Sequence, residues 1–181
     1  MSMPAILLRS HPFLDGIPAE YVDRLAPFSE PRTYAMNDRI IAADEPADAC
    51  YLLNSGRVAI ELADPRHGHL VVQTLGGGSV LGWSWLVPPY RWTFDARAVE
   101  LTEVVAVAGP RLREVCEEHP GLGYLLLKRL AAMFGERIEA TAEQLRRRMP
   151  DPPRADSAPA IVRPLVSAAG GRRQRDGVLQ I

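Results

Sequence analysis

Short apolar runs separated by turn residues fill the chain from residue 33 to residue 107, and this spacing restricts its fold more than any other feature. Asn54-Ser55-Gly56 is a hairpin signal between two of the runs, and Gly76-Gly77-Gly78 and Pro88-Pro89 separate others. Short runs with no helical pattern between them favour an antiparallel sandwich or barrel. The candidate strands are residues 39–42, 49–54, 57–63, 70–75, 94–98 and 104–107. The sequence therefore predicts a mainly β protein built on an antiparallel β-barrel, with flanking α-helices.

Helical periodicity flanks these strands. It predicts short helices over residues 18–26 and 111–118 and a long helix over residues 122–149. On the long helix, apolar residues alternate at spacings of four and three, which is the pattern of a coiled-coil seam. The seam includes Leu127, Phe134, Ile138 and Leu145. We expect a homodimer through this seam, and the alternative is one wide stripe that packs onto the helix's own domain.

The composition changes after the long helix. Residues 150–181 hold five prolines and five arginines with no sustained periodicity, which predicts a flexible tail. We expect residues 1–149 to form one domain that includes the long helix. The tail is too short and too aperiodic for a helix-turn-helix domain, so we expect no direct DNA binding.

Composition excludes several classes of protein. Hydrophobic residues make up 47% and charged residues 24% of the 181 residues, and the formal net charge is −1, so nothing draws the whole chain to nucleic acid or to an anionic membrane. No apolar stretch approaches the roughly 20 residues of a membrane span. The two isolated cysteines, Cys50 and Cys116, cannot form a disulfide framework. Together with the lack of a secretory signal, this predicts a cytoplasmic protein.

Three motifs in order resemble the cyclic nucleotide-binding domain of the catabolite-activator (CRP/FNR) family. Residues 51–58, Tyr-Leu-Leu-Asn-Ser-Gly-Arg-Val, are similar to its strand–Gly–strand hairpin, and Gly76-Gly77-Gly78 with Gly82 is similar to the start of its phosphate-binding cassette. Glu118-His119-Pro120 before a Leu-rich helix resembles its hinge and dimerisation helix. The resemblance implies a jelly-roll fold, a bacterial regulatory protein, and a nucleotide pocket beside the cassette, which we define as residues 82–98.

The cassette departs from the family pattern at the positions that hold the nucleotide. Trp83 stands where the family has the glutamate that accepts the ribose hydroxyl, and Trp92 stands where it has the phosphate-binding arginine. Losing that charge-assisted hydrogen bond removes about 1.5–3 kcal/mol, which argues against ordinary cyclic-nucleotide binding. Arg91 or Arg97 could substitute if the loop is shifted. The predicted ligand-binding residues are Gly82, Trp83, Ser84, Trp85, Arg91, Trp92, Thr93 and Arg97.

Two functions fit these residues. One is a non-enzymatic sensor that binds a cyclic nucleotide, or a different planar or apolar ligand, and signals through its helix to a partner protein. The other is a structural adaptor whose aromatic residues fill the pocket without any ligand. Cys116 with His119 lacks a third group to orient a nucleophile, and His67 with His69 fits an exposed hairpin tip. We therefore predict no catalytic residues and no metal ligands.

Overall fold

A computed structural model describes residues 2–64, 66 and 68–148. The predicted tail, residues 150–181, lies outside the described residues. The helices are α1 (Met3–Arg9), α2 (Ala19–Leu25), α3 (Gly109–Glu118) and α4 (Pro120–Arg148), with single 3-10 turns at Pro12–Leu14 and Ala26–Phe28. α4 begins at Pro120 because proline lacks the N–H that the first turn of a helix leaves unpaired, and its φ already suits that position.

Eight strands form two four-stranded antiparallel sheets. The first has the order β1-β8-β3-β6 and the second the order β2-β7-β4-β5. The strands are β1 (Ser29–Tyr34), β2 (Arg39–Ile41), β3 (Ala49–Ser55), β4 (Arg57–Asp64), β5 (Gly68–Gly76), β6 (Val80–Leu81), β7 (Asp95–Ala98) and β8 (Thr102–Ala108). The fold is thus a jelly-roll sandwich with flanking helices and a long C-terminal helix.

Closure into a barrel was the part of the fold prediction that was wrong. No strand ladder joins the two sheets within the described part of the chain. A barrel needs a continuous ladder around its circumference, but β6 has two residues and β2 has three. The other two edge strands, β1 and β5, are longer but in the described structure pair only within their own sheets.

The sequence patterns did not predict two of the strands, β1 and β6, or the helix α1. β1, Ser-Glu-Pro-Arg-Thr-Tyr, has no fully buried residue, so it lacks the apolar alternation that marks a half-buried strand. It still pairs with β8 along its whole length, from Ser29 opposite Val107 to Tyr34 opposite Thr102. β6 is too short to carry a period, and α1 has only two turns.

α4 carries two apolar faces. Leu122, Leu126 and Leu130 are at most 5% exposed and pack into the core, whereas Leu127 and Ile138 are 56% and 69% exposed. The side chain of Leu145 is not described. The long helix therefore has an exposed apolar face in addition to the stripe that packs onto its own domain. Among the described residues, no helix is long and apolar enough to cross a membrane.

Candidate ligand-binding site

The middle of the cassette is held against the segment that follows β2. The amide of Trp92 donates to the Glu45 carbonyl at 2.9 Å, the Trp92 carbonyl accepts from the Asp44 amide at 2.9 Å, and the Tyr90 carbonyl accepts from the Ala47 amide at 2.8 Å. Pro88-Pro89 is a cis peptide. Backbone hydrogen bonds on both sides of Arg91 therefore fix which side chains point into the fold and which point to solvent.

The three tryptophans of the cassette occupy different places. Trp85 is 2% exposed and donates from Nε1 to the Gly82 carbonyl at 3.1 Å. Trp92 is 6% exposed and lies tilted against Tyr51, with 6.3 Å between ring centroids. Trp83 is 37% exposed and meets Phe134 of α4 edge to face at 6.1 Å. Two rings thus fill the interior, and the third joins the cassette to the long helix.

Beside these rings lies a cavity of about 200 Å³. It is lined by the sheet β2-β7-β4-β5, by β6, by the cassette and by one face of α4, and it is open to solvent beside Val72 and Trp83. Most of its surface is apolar, and the polar side chains at its wall belong to Gln73, Ser84, Thr93, Asp95 and Arg137. An apolar cavity with a few polar groups is the usual form of a small-molecule site.

Five of the predicted ligand-binding residues line this cavity: Gly82, Trp83, Ser84, Trp92 and Thr93. The Ser84 and Thr93 hydroxyl oxygens are 3.5 Å apart on one part of its wall. Trp85 lies in the hydrophobic core instead, where it packs against Gly109 so closely that a Cβ on that glycine would be 2.9 Å from the Trp85 Cβ. The cassette therefore supplies one wall of the cavity and part of the core.

The two arginines expected to replace the family's phosphate ligand are turned away from the cavity. Arg91 donates from Nη1 to the Asp44 carbonyl. Arg97 donates from Nη1 to the Asn37 carbonyl at 2.7 Å, and its Nε is 3.6 Å from Glu61 Oε2. Neither belongs to the cavity wall. The Arg91 contact joins the cassette to the loop after β2, and the Arg97 contacts join β7 to the loop before β2 and to β4.

The cavity wall has two charged side chains among the described residues, Asp95 and Arg137. Asp95 Oδ1 accepts from the Ala43 amide at 3.1 Å, and its Oδ2 is 3.9 Å from Nδ1 of His69. Arg137 donates from Nη2 to the Val80 carbonyl at 2.7 Å. Burial lowers the pKa of the Arg137 guanidinium, so this charge has lost part of its water shell.

Sequence analysis did not identify Arg137, and it assigned Phe134 to the dimer seam alone. The structure places both at the cavity, one helical turn apart on α4. Phe134 and Arg137 are three residues apart on α4 and follow the buried stripe that ends at Leu130. This spacing was the signal in the sequence that could have placed both residues on the inner side of the helix. No cluster of three or more His, Cys, Asp or Glu side chains suited to a metal occurs in residues 2–64, 66 and 68–148.

Comparison with known proteins agrees with this architecture. The family model of the cyclic nucleotide-binding domain matches residues 31–119. A crystal structure from Geobacter metallireducens GS-15, described as that of a cyclic nucleotide-binding protein, is 30% identical with a TM-score of 0.67, and the match covers 76% of this chain and 99% of that one. The chain belongs to the cyclic nucleotide-binding domain family.

Other relatives show where such a domain occurs. The catabolite activator protein of Thermus thermophilus is 25% identical to this chain, with a TM-score of 0.59. The match covers 74% of this chain and 61% of that protein. Glutaminase 1 of Bradyrhizobium diazoefficiens is 28% identical over 72% of this chain and 21% of its own length. The chain thus spans about a fifth of the curated relatives it matches. The family places the chain among regulatory sensor modules, whose members are generally non-enzymatic and typically dimeric.

Proposed function

We propose that this cyclic nucleotide-binding domain protein is a non-enzymatic sensor that binds a compact, mainly apolar ligand and transmits its presence through α4. The observation that carries the proposal is the cavity of about 200 Å³ lined jointly by cassette and helix. Trp83 and Phe134 meet at its wall with their rings 6.1 Å apart. A ligand that displaces Trp83 would therefore change what α4 packs against.

Cyclic AMP and cyclic GMP are poor candidates for this ligand. Trp92 takes the place of the family's phosphate-binding arginine, and the guanidinium groups of Arg91 and Arg97 bind backbone carbonyls outside the cavity. A cyclic phosphate would lose a charge-assisted hydrogen bond, which corresponds to about 10–150-fold in affinity. We expect neither nucleotide to raise the melting temperature at millimolar concentration.

A matched pair of variants on β5 tests the cavity. Val72 lines the cavity and is 41% exposed, whereas Val71 is 52% exposed and is not part of the cavity wall. Val72 belongs to the cavity wall and Val71 does not, so Val72→Phe places a ring in the cavity and Val71→Phe does not. The measurement is a thermal melt with tryptophan emission, with phenylpropanamide, cyclic AMP or cyclic GMP added.

We expect phenylpropanamide to shift the melt of the wild type and of Val71→Phe but not that of Val72→Phe. A ligand at 100 times its Kd stabilises by about 2.7 kcal/mol. If no compound shifts the melt of the wild type, the sensor proposal fails. A shift with cyclic AMP that Val72→Phe removes would mean that the cavity still binds nucleotides.

The second candidate is a scaffold without a ligand. The observation in its favour is that Trp85 and Trp92 of the cassette are buried and belong to the hydrophobic core. In that case the cavity would be unfilled space without a ligand. Val72→Phe would then fill it and raise the melting temperature, and binding of partner proteins would not change. The ligand titrations distinguish the two candidates.

We further propose that α4 forms the homodimer contact. Its exposed apolar face holds Tyr124, Leu127 and Ile138, which are between 56% and 69% exposed. These residues recur at helical spacing on one side of α4, as a pairing surface requires. Phe134 belongs both to the predicted seam and to the cavity wall, so a bound ligand would alter the dimer contact directly. A partner protein that binds near this contact would respond to the change.

A further inference from the structure

We propose that the cavity selects a ligand with one neutral hydrogen-bonding end, an amide or an alcohol on a compact apolar body. The hydroxyl groups of Ser84 and Thr93 bind that end. This rests on the proposed sensor function and adds the ligand's chemical class and the residues that recognise it. Both residues stand in the cassette and belong to the cavity wall. The cassette thus recognises the polar end of its ligand through neutral groups instead of a charge.

The two charged side chains of the described cavity wall are engaged with other parts of the protein. Arg137 donates at 2.7 Å to the carbonyl of Val80, which lines the neighbouring groove and not the cavity, and it makes a further interaction within the protein. Asp95 Oδ1 accepts from the Ala43 amide, and its Oδ2 lies 3.9 Å from Nδ1 of His69. A charged ligand would have to displace one of these partners or enter without a counter-charge, and an unpaired buried charge is costly.

The hydroxyl groups of Ser84 and Thr93 retain hydrogen-bonding capacity. A hydroxyl group can donate one hydrogen bond and accept two. Among the described residues, the only contact of either hydroxyl is the one between their two oxygens at 3.5 Å, which is longer than the roughly 2.5–3.0 Å of a well-formed O–H···O bond. Ser84 is 6% exposed, so bulk water has little access to it. A ligand carbonyl or hydroxyl beside this pair can therefore bond to both groups.

The backbone holds the two hydroxyl groups on segments of the cassette that lie side by side. Ser84 stands in a tight turn, closed by a 2.9 Å hydrogen bond from the Leu86 amide to the Trp83 carbonyl. Thr93 follows Trp92, whose amide and carbonyl both bond to the segment after β2. Groups that are already held in place lose little freedom when a ligand binds. The pair is thus prepared for one polar group.

The rest of the cavity suits a compact apolar body. Trp83 precedes Ser84, while Trp92 and Phe94 flank Thr93, and all three aromatic residues line the cavity. Aromatic rings pack well against one another in offset or edge-to-face contacts. A dry apolar cavity of about 150 Å³ is large enough for benzene. A cavity of about 200 Å³ therefore has room for one ring and a short chain that ends at the hydroxyl pair.

The test compares phenylpropanamide with isopentylbenzene, a hydrocarbon of the same shape in which methyl groups replace the amide oxygen and nitrogen. Binding to the full chain is followed by the emission of Trp83, the most exposed of the tryptophans, and by thermal melts. Ser84→Ala should weaken binding of the amide by about 2–10-fold, because one neutral hydrogen bond is lost, and leave the affinity of the hydrocarbon unchanged. Thr93→Val, which keeps the shape of the side chain, should have the same selective effect.

Ser79→Ala is the matched control for Ser84→Ala. Ser79 lines the neighbouring groove and not the cavity, so this variant should bind both probes as the wild type does. Thr93→Ser retains the hydroxyl group and should keep the affinity for the amide. Unchanged affinity for the hydrocarbon shows in the same experiment that a variant has kept its fold and its cavity.

Phenylpropanoate has the same skeleton with an anionic end. We expect it to bind the wild type at least about 10-fold more weakly than the amide, because it has to enter the cavity without a free counter-charge. Tighter binding of the acid than of the amide would overturn the neutral class of ligand.

The outcomes separate this inference from the sensor proposal. If neither Ser84→Ala nor Thr93→Val weakens binding of the amide, the role of the hydroxyl pair is overturned and the sensor stays intact, because another polar group of the wall, such as Gln73, then binds the amide. Equal weakening of the amide and the hydrocarbon would also overturn it, because the two residues would then only shape the cavity. Failure of all three probes to bind the wild type would remove the sensor proposal itself.

Discussion

At the scale of single residues, His11 shows how a buried polar side chain joins two parts of the chain. It is 1% exposed, and its Nδ1 accepts from the Phe13 amide at 3.2 Å. The proton of the neutral ring must therefore lie on Nε2, which donates to the Leu53 carbonyl at 2.9 Å. The Nε2 bond ties the segment after α1 to β3, and the Nδ1 bond from Phe13 can form only with the neutral ring. Burial accordingly lowers the pKa of His11.

This histidine makes stability depend on pH. Because its pKa is lower in the folded state than the ordinary value of about 6.5, the unfolded chain binds more protons between the two values. Stability therefore falls as the pH drops below about 6.5, by up to about 1.4 kcal/mol per pH unit, and the loss ends below the folded pKa. Urea unfolding from pH 8 to pH 5 measures it.

His11→Gln is the control for that titration. It should be less stable than the wild type at pH 8, because one buried hydrogen bond is lost, but the difference should shrink towards pH 5. A constant difference across this range would mean that His11 does not account for the acid sensitivity.

Gly82 has a backbone φ of +91°, and a Cβ there would lie 2.6 Å from Cζ3 of Trp92. Gly68 has a similar φ of +78° but nothing within 4 Å of that position. Gly68→Ala should cost about 1–2 kcal/mol for the left-handed backbone alone. Gly82→Ala should cost about 1–3 kcal/mol more, because the Trp92 ring has to move. Equal losses in denaturant unfolding would show that the ring yields freely.

At the scale of elements, Arg113 connects the cassette to α3. Its guanidinium carbon lies 4.1 Å from the centroid of the Tyr90 ring, and its Nη1 donates to the Trp85 carbonyl. One side chain of α3 thus contacts the cassette at two points. This contact therefore restrains the cassette at Trp85 and Tyr90.

Arg113→Gln should therefore lower the free energy of unfolding by about 1–2 kcal/mol, from the lost cation–π contact and the lost charged hydrogen bond. Arg111→Gln is the matched control, since Arg111 lies on the same helix and pairs only with the exposed Glu114 among the contacts described. That substitution should cost less than about 0.5 kcal/mol. Similar losses for the two variants in urea unfolding would contradict the proposed restraint.

At the scale of the whole molecule, α4 links the cavity to the surface that we propose for dimerisation. Its inner face carries Leu122, Leu126 and Leu130, and its outer face carries Leu127 and Ile138. Phe134 and Arg137 belong to the cavity wall. A shift of α4 on ligand binding would therefore reach both faces of the helix.

Leu127→Arg combined with Ile138→Arg should convert the proposed dimer into a monomer, because charged guanidinium groups would have to be buried in the seam. Light scattering at tens of micromolar should give about twice the mass of one chain for the wild type and one chain for the double variant. Glu136→Arg, on the opposite side of α4 from Ile138, should leave the dimer intact. A monomeric wild type would refute this contact.

The apolar patterns were enough to predict most of the strands and the long helix, and the family resemblance added the jelly-roll class. Periodicity arises from burial on one face of an element, so it is readable wherever an element has one buried face. β1 was missed because none of its residues is fully buried, and the closed barrel was wrong because the lengths of edge strands depend on their partners and not on local sequence.

The substitutions in the cassette were also readable, since Trp83 and Trp92 stand at defined positions of a motif. Only the tertiary structure decided where the charges go. It directs Arg91 and Arg97 to backbone carbonyls and brings Arg137, 40 residues after Arg97, to the cavity wall. Which cation lies at a cavity depends on how a helix packs across a sheet. Contacts between residues so far apart in sequence leave no local pattern in the amino-acid sequence.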